Sequence, residues 1–283
     1  MCLSGQGSAS PSFLTAHGYT VSISDMIGVR VYSDTRPRKW KIANLQKGLI
    51  LIYEGLETVG AASGFGSPTL EYSNESYFSG SSQVYVRKRD TVTVIRKDFF
   101  MDKIKRNLLG KIALENKEAR NALDLVALPY RSYFRPLRVK ELLVSLGTKT
   151  DFRVASYAGK VTVTYTIDQR TIHVKADFSC VRKHGLKKIL LLNEQSSRFF
   201  PLYTDSSGLA LKDRKIGQFA VVKAKSASIT DLHGNFGFTV QHVANSVLRR
   251  GQEFIDNFLD WVGLDYEISP ENLLFEYNVE IIC

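Results

Sequence analysis

Val161 to Phe178 reads VTVTYTIDQRTIHVKADF, and its alternation decides the fold. With Gln169 and Arg170 as a two-residue turn, Val161 falls opposite Phe178, Val163 opposite Ala176, Tyr165 opposite Val174 and Ile167 opposite Ile172. All of these are apolar or aromatic. The other face carries Thr162, Thr164 and Thr166 beside Asp177, Lys175 and His173. A period of two that agrees on both strands specifies an antiparallel hairpin with one buried face. Its Gln-Arg turn departs from the preferred Asn-Gly or Gly-X chemistry.

The same texture extends outward. From Tyr19 to Asp98, short β-branched and aromatic runs are broken by Gly, Asn, Asp and Pro, as in GLILIYE (Gly48 to Glu54). QVYVRKRDTVTVIRK (Gln83 to Lys97) splits into two strands at Arg89-Asp90. Further strands are expected at Lys188 to Asn193, Gln218 to Lys225, Phe236 to His242 and Leu274 to Ile282. Between the two β regions the texture turns helical, around 116–147. Val139, Leu142, Leu143 and Leu146 recur at helical spacing, Pro136 suits the first turn and Gly147 the end. A late helix is expected at 248–262, where Leu248, Ile255, Phe258, Leu259 and Val262 form an apolar stripe closed by Gly263.

The expected fold is therefore mainly β, a large antiparallel β-sandwich of up to supersandwich size with a helical insert and one late helix. Two divisions of the 283 residues fit. Residues 13–283 form one β-rich unit after a flexible start at 1–12, or 13–101 and 150–283 are β halves flanking an insert at 102–149.

Charge separates along the chain. The net +10 includes an excess of 8 positive charges over residues 151–225, whereas residues 226–283 carry 7 more acidic than basic side chains. The three cysteines, Cys2, Cys180 and Cys283, form no C-x-x-C pair, so neither zinc nor a dithiol centre is indicated. The first residues have neither a basic nor an apolar region of a secretory signal, and no apolar run is long enough for a membrane span; a cytoplasmic protein is expected.

No motif announces a cofactor, and none is expected. Gly64-Phe65-Gly66 has no third glycine at Thr69, so the dinucleotide fingerprint fails, and Walker A, G-x-S-x-G and H-E-x-x-H segments are missing. A phosphate cradle also needs a helix to follow, but the sequel is strand-like. Gly64 to Pro68 therefore reads as a turn between strands.

Candidate chemistry rests on polar positions. His173, Lys175 and Asp177 alternate along one strand face, offering a proton carrier, a cation and a carboxylate, with Thr164 and Thr166 beside them. The same row is also what the solvated face of an antiparallel sheet looks like. Glu194 follows the apolar run Ile189 to Leu192, and Tyr203 and Asp205 come shortly after. Glu194 and Asp205 could make an acid/base pair, although Asp205-Ser-Ser-Gly208 is equally an ordinary turn.

Two functions follow. In the first, a polar or basic groove binds or processes a carbohydrate-like ligand, neutral or anionic. His173 or Tyr203 then serves as base, Glu194 or Asp205 as acid, and Lys175, Asp177, Thr164 and Thr166 hold the ligand. In the second, the chain is a non-catalytic module for nucleic acid or another acidic partner. The basic stretches Arg131 to Arg138 and Arg182 to Lys188 support that reading.

Overall fold

The computed structural model describes residues 19–32, 46–104 and 154–283, apart from residues 25, 61, 74, 257 and 258. The start at 1–12, the helices expected around 116–147 and the basic stretch 131–138 lie outside these residues.

The hairpin that anchors the fold forms in the expected register. Strand β8 (Val154–Asp168) pairs with β9 (Thr171–Asp177), placing Val163 opposite Ala176, Tyr165 opposite Val174 and Ile167 opposite Ile172. The ladder ends at Thr162 and Asp177, leaving Val161 and Phe178 outside it, yet both are fully buried. Gln169 takes the left-handed turn conformation (φ 49°) that glycine or asparagine usually supplies.

Around this hairpin runs one continuous antiparallel ladder. On one side of β8 come β7 (Val92–Ile104), β6 (Glu75–Arg89), β5 (Gly64–Tyr72), β10 (Leu186–Gln195), β17 (Leu259–Ile268), β16 (Ser246–Asp256) and β13 (Ala220–Val221). On the far side of β9 come β18 (Leu274–Ile282), β15 (Gly237–Gln241), β14 (Ser226–Thr230), β11 (Leu202–Asp205) and β12 (Ala210–Lys212). A second sheet holds β1 (Tyr19–Ser22), β2 (Ile27–Val31), β3 (Ile50–Tyr53) and β4 (Leu56–Glu57).

The long sheet folds back on itself into a sandwich. Tyr266 of β17 packs edge-on against Phe275 of β18, with ring centroids 5.1 Å apart, and Phe65 of β5 meets Phe238 of β15 at 4.9 Å. Arg250 of β16 lies 5.0 Å over the Tyr203 ring of β11. The small sheet closes one end, with Tyr53 stacked on Phe236 at 4.2 Å and Leu49 bridged to Phe65. A large apolar core joins both sheets, and Ile50, Val59, Ala62 and Trp261 form a smaller cluster apart from it.

Two expectations are corrected. The stretch 248–262 is not a helix: it lies in β16 and β17, where Leu248 pairs with Tyr266 and Gly251 with Gly263. Strand β17 is buried from Asp260 to Tyr266, so its apolar residues need no period of two, and a stripe in such a run does not separate helix from strand. The segment Gly64 to Pro68 is no turn but the first half of β5, paired with β10. Gly66 has φ +71°, and a Cβ there would come within 2.9 Å of the Tyr165 hydroxyl. Its glycines thus serve a buried close approach rather than chain reversal.

Candidate functional site

Cross-strand partners share a face, which locates the expected residues. His173, Lys175 and Asp177 lie with Thr164 and Thr166 on the outward face of β8 and β9. The His173 Nδ1 lies 2.9 Å from Asn278 Oδ1, its Nε2 lies 3.4 Å from Glu276, and Lys175 bonds Glu276 at 2.6 Å. The bond from Lys175 holds the Glu276 carboxyl below its ordinary range. Asp177 accepts a hydrogen bond from Ser179 N at 2.8 Å. One strand further on, burial works to raise Asp98, but hydrogen bonds from Arg96, Thr162 and Lys160 outweigh it and hold the carboxyl low. The row is a ladder of complementary charges, half-exposed at Lys175 and Glu276 and buried at Asp98.

Tyr203 and Asp205 belong together elsewhere. The buried Tyr203 hydroxyl donates to Asp205 at 2.7 Å, and Asp205 also accepts from Ser207 N at 2.9 Å and Ser207 Oγ at 2.5 Å. That is the turn geometry the sequence allows for Asp-Ser-Ser-Gly.

Glu194 has a different carboxyl neighbour. On β10 it sits opposite Gly64 of β5 and Gly263 of β17, and Gly263 in turn faces Gly251 of β16. This row of small residues leaves room above the sheet for larger side chains. A Cβ on Gly263 would lie 2.9 Å from Glu194 Cγ and 3.2 Å from Asp265 Oδ1. The two carboxyls therefore converge over one glycine. Asp265 is 1% exposed and Glu194 is 6% exposed.

The two carboxyls are partnered unequally. Glu194 Oε2 accepts from Ser63 N at 3.0 Å, and Asp265 Oδ1 accepts from Asn193 N at 2.8 Å. Among the described residues Asp265 Oδ2 has no hydrogen-bond partner. Burial raises both carboxyls, and the charge of Glu194 pushes Asp265 well above the carboxylate range. Nearby, Lys47 is lowered to about 8 by burial, against the pull of Glu194, Glu57 and Asp260. Its ammonium donates to Gly60 O at 2.7 Å and Ala62 O at 2.6 Å, so the cation is anchored to the loop that supplies Ser63.

The surround is aromatic and braced. Trp261, 8% exposed, packs with Ile50, Val59 and Ala62 and against Tyr32, and its ring meets Phe219 at 5.2 Å. Phe219 keeps 41% of its surface open. Below, Asp260 accepts from Ser196 Oγ at 2.5 Å and from Ser197 N and Oγ at 2.8 and 2.7 Å, fixing the turn after β10.

Asp265 and Trp261 escape sequence reasoning because both fall in or just after the stretch taken for a helix. The available signal was Gly251, a glycine inside that stretch, which a helix interior tolerates poorly and a close-packed strand pair can require. No group of His, Cys, Asp or Glu among the described residues is arranged to hold a metal ion. No helix among them is long and apolar enough to cross a membrane.

No protein-family model matches the chain, and no curated protein matches it in sequence. Solved structures do. The chain is similar to the α-N-acetylgalactosaminidase NagBb from Bifidobacterium bifidum, in complex with GalNAc, with TM-score 0.49 and 7% identity over 93% of this chain and 35% of that one. It is also similar to the Slr1438 protein from Synechocystis sp. PCC 6803, with TM-score 0.39 and 8% identity over 95% and 96% of the two chains. A galactose mutarotase-like protein from Lactobacillus casei ATCC 334 matches with TM-score 0.37 and 8% identity over 94% and 99%. The chain thus spans about a third of the length of the galactosaminidase.

Proposed function

We propose that the protein binds a carbohydrate-like ligand beside Phe219 and Trp261 and moves protons on it with Glu194 and Asp265. The observation that carries this reading is the convergence of two buried carboxyls over Gly263, one of them with an unpartnered oxygen. Two carboxyls in one low-dielectric site cannot both ionise easily, so the charge of one favours the protonated form of the other. Such a pair can give a proton to one ligand oxygen and accept one from another. Lys47 supplies a nearby positive charge that favours the ionised member.

The carbohydrate class follows from the combination of proton-transfer groups with a half-open aromatic face, since sugars present both hydroxyls and apolar C–H surfaces. Two of the similar structures bear sugar-related names, but at 7% and 8% identity the reading rests on the carboxyl pair.

The test is an NMR panel of free aldoses, read for ligand saturation transfer and for exchange between anomers. Glu194→Gln and Asp265→Asn should each slow anomer exchange by about a hundredfold or more, while His173→Ala leaves it unchanged. Full exchange in Glu194→Gln, or no aldose that contacts the wild-type protein, would remove the proposal.

A further inference from the structure

A cleft lies at the β13 edge of the long sheet, where the chain leaving β13 passes the connection between β15 and β16. It is open to solvent and holds about 620 Å³, within the ~300–1,000 Å³ range of small-molecule sites. Lys223, Lys225 and His242 line it together with Val221, Val222 and Val247, and no carboxylate is among the described lining residues. His242 N donates to Lys225 O at 2.7 Å, continuing the β14–β15 ladder by one pair beyond Ser226 and Gln241. Lys225 and His242 are thus cross-strand neighbours, with Cβ atoms about 5 Å apart.

The cations here divide by task. Arg249 bonds Glu267 at 2.7 Å and Phe219 O at 3.0 Å, and Arg250 bonds Ile216 O at 3.0 Å; both arginines hold the chain that forms the cleft wall. Lys223 and Lys225 are exposed and pair with no carboxylate among the described residues. The cleft therefore contains two lysine charges that the fold does not use, beside an imidazole that can add a donor.

We infer that this cleft binds a small phosphate-bearing anion. A phosphomonoester carries a charge of about −1.5 to −2 at neutral pH and three acceptor oxygens, which matches two ammonium groups and an imidazole. A single carboxylate would leave one ammonium uncompensated. The valines fit the organic part of an ester, and the site shares no residue with the carboxyl pair over Gly263.

The experiment is a heteronuclear NMR titration of the full chain with glycerol 3-phosphate, inorganic phosphate and glycerol. Expected are saturable shifts centred on Val221 to Lys225 and His242 for both phosphates and none for glycerol. Tighter binding of the ester assigns an organic phosphate; equal binding assigns free phosphate. Lys223→Glu with Lys225→Glu should weaken binding by about tenfold or more, whereas Lys212→Glu with Lys215→Glu, exposed outside the cleft, should change it less than about twofold. Melting curves of both double variants confirm the fold, and Lys223→Gln with Lys225→Gln repeats the test without adding negative charge. Equal weakening by both pairs of variants, or shifts that never centre on the cleft, would overturn the inference.

Discussion

The outward row on β8, β9 and β18 and the enclosed end of β10 and β17 use the same residue types to opposite effect. On the row, Lys175 sits 2.6 Å from Glu276, and each is more than 40% exposed in its side chain. Water screens such pairs, and burial contributes little there beside the bond from Lys175 that lowers the Glu276 carboxyl. At the enclosed end, Glu194 and Asp265 are buried and Lys47 nearby is half-buried, and burial moves each of them toward its neutral form. Burial rather than composition decides which cluster has its carboxyls raised, so breaking the comparison means changing the enclosure or the charges on either side of it.

The largest effect should come from closing the space over Gly263. The obstacles to a Cβ there include Asn193 O at 2.9 Å, a backbone atom that cannot swing away. Gly263→Val should destabilise by about 3 kcal/mol in denaturant melts, as overpacking does. Thr164→Val on the row should stay within about 0.5 kcal/mol. Equal losses would mean that the two regions are packed alike.

Next comes a lysine that contrasts with Lys175. Lys97 is fully buried on the core side of β7, with its ammonium bonded to Tyr32 O at 2.6 Å and to Lys47 O. Burial lowers it to about 7 from an ordinary 10.5. Below pH 7 both folded and unfolded chains carry this proton. Above it the folded chain loses the proton first, so Lys97 makes stability rise with pH until the unfolded lysine also titrates. Between pH 7 and 8.5 the gain should be roughly 2 kcal/mol, and Lys97→Met should flatten it; a slope that persists in the variant would assign it to other groups.

The carboxyl pair should show the reverse sign at lower pH. Glu194 and Asp265 titrate above their unfolded values, so over the interval from about pH 4 upward the unfolded chain gives up protons that the folded chain keeps. Stability from this pair therefore falls as pH rises through that interval and levels off above the raised values. Asp265→Asn should lessen the fall and raise stability at pH 8 by on the order of 1 kcal/mol. Urea melts from pH 4 to 8 provide the measurement.

How much of this was legible depended on whether one face of a strand is wet. Val161 to Phe178 could be registered residue by residue because its threonines and charges alternate with buried positions. Strands β10 and β17 are enclosed on both faces at the Glu194 end, so alternation disappears there and the apolar stripe up to Val262 reads equally as helix. Glu194 was recognisable as a carboxylate at the end of an apolar run. Its partner was not, because pairing Glu194 with Asp265 requires the β10–β17 register, and nothing in the local sequence supplies it.

The smallest predicted effect closes the comparison from the solvated side. Lys175→Ala removes one ion pair from the row but leaves Glu276 near His173 at 3.4 Å and still largely in water. The loss should be about 0.5 kcal/mol at low ionic strength and fade toward zero in 1 M salt, where charges are screened beyond about 3 Å. Asp265→Asn should keep its effect in the same salt, because a carboxyl that is 1% exposed is screened far less. Melts of both variants across a salt series therefore separate a surface ladder from an enclosed site. A Lys175→Ala loss that salt leaves intact would show that the row, too, is shielded from water.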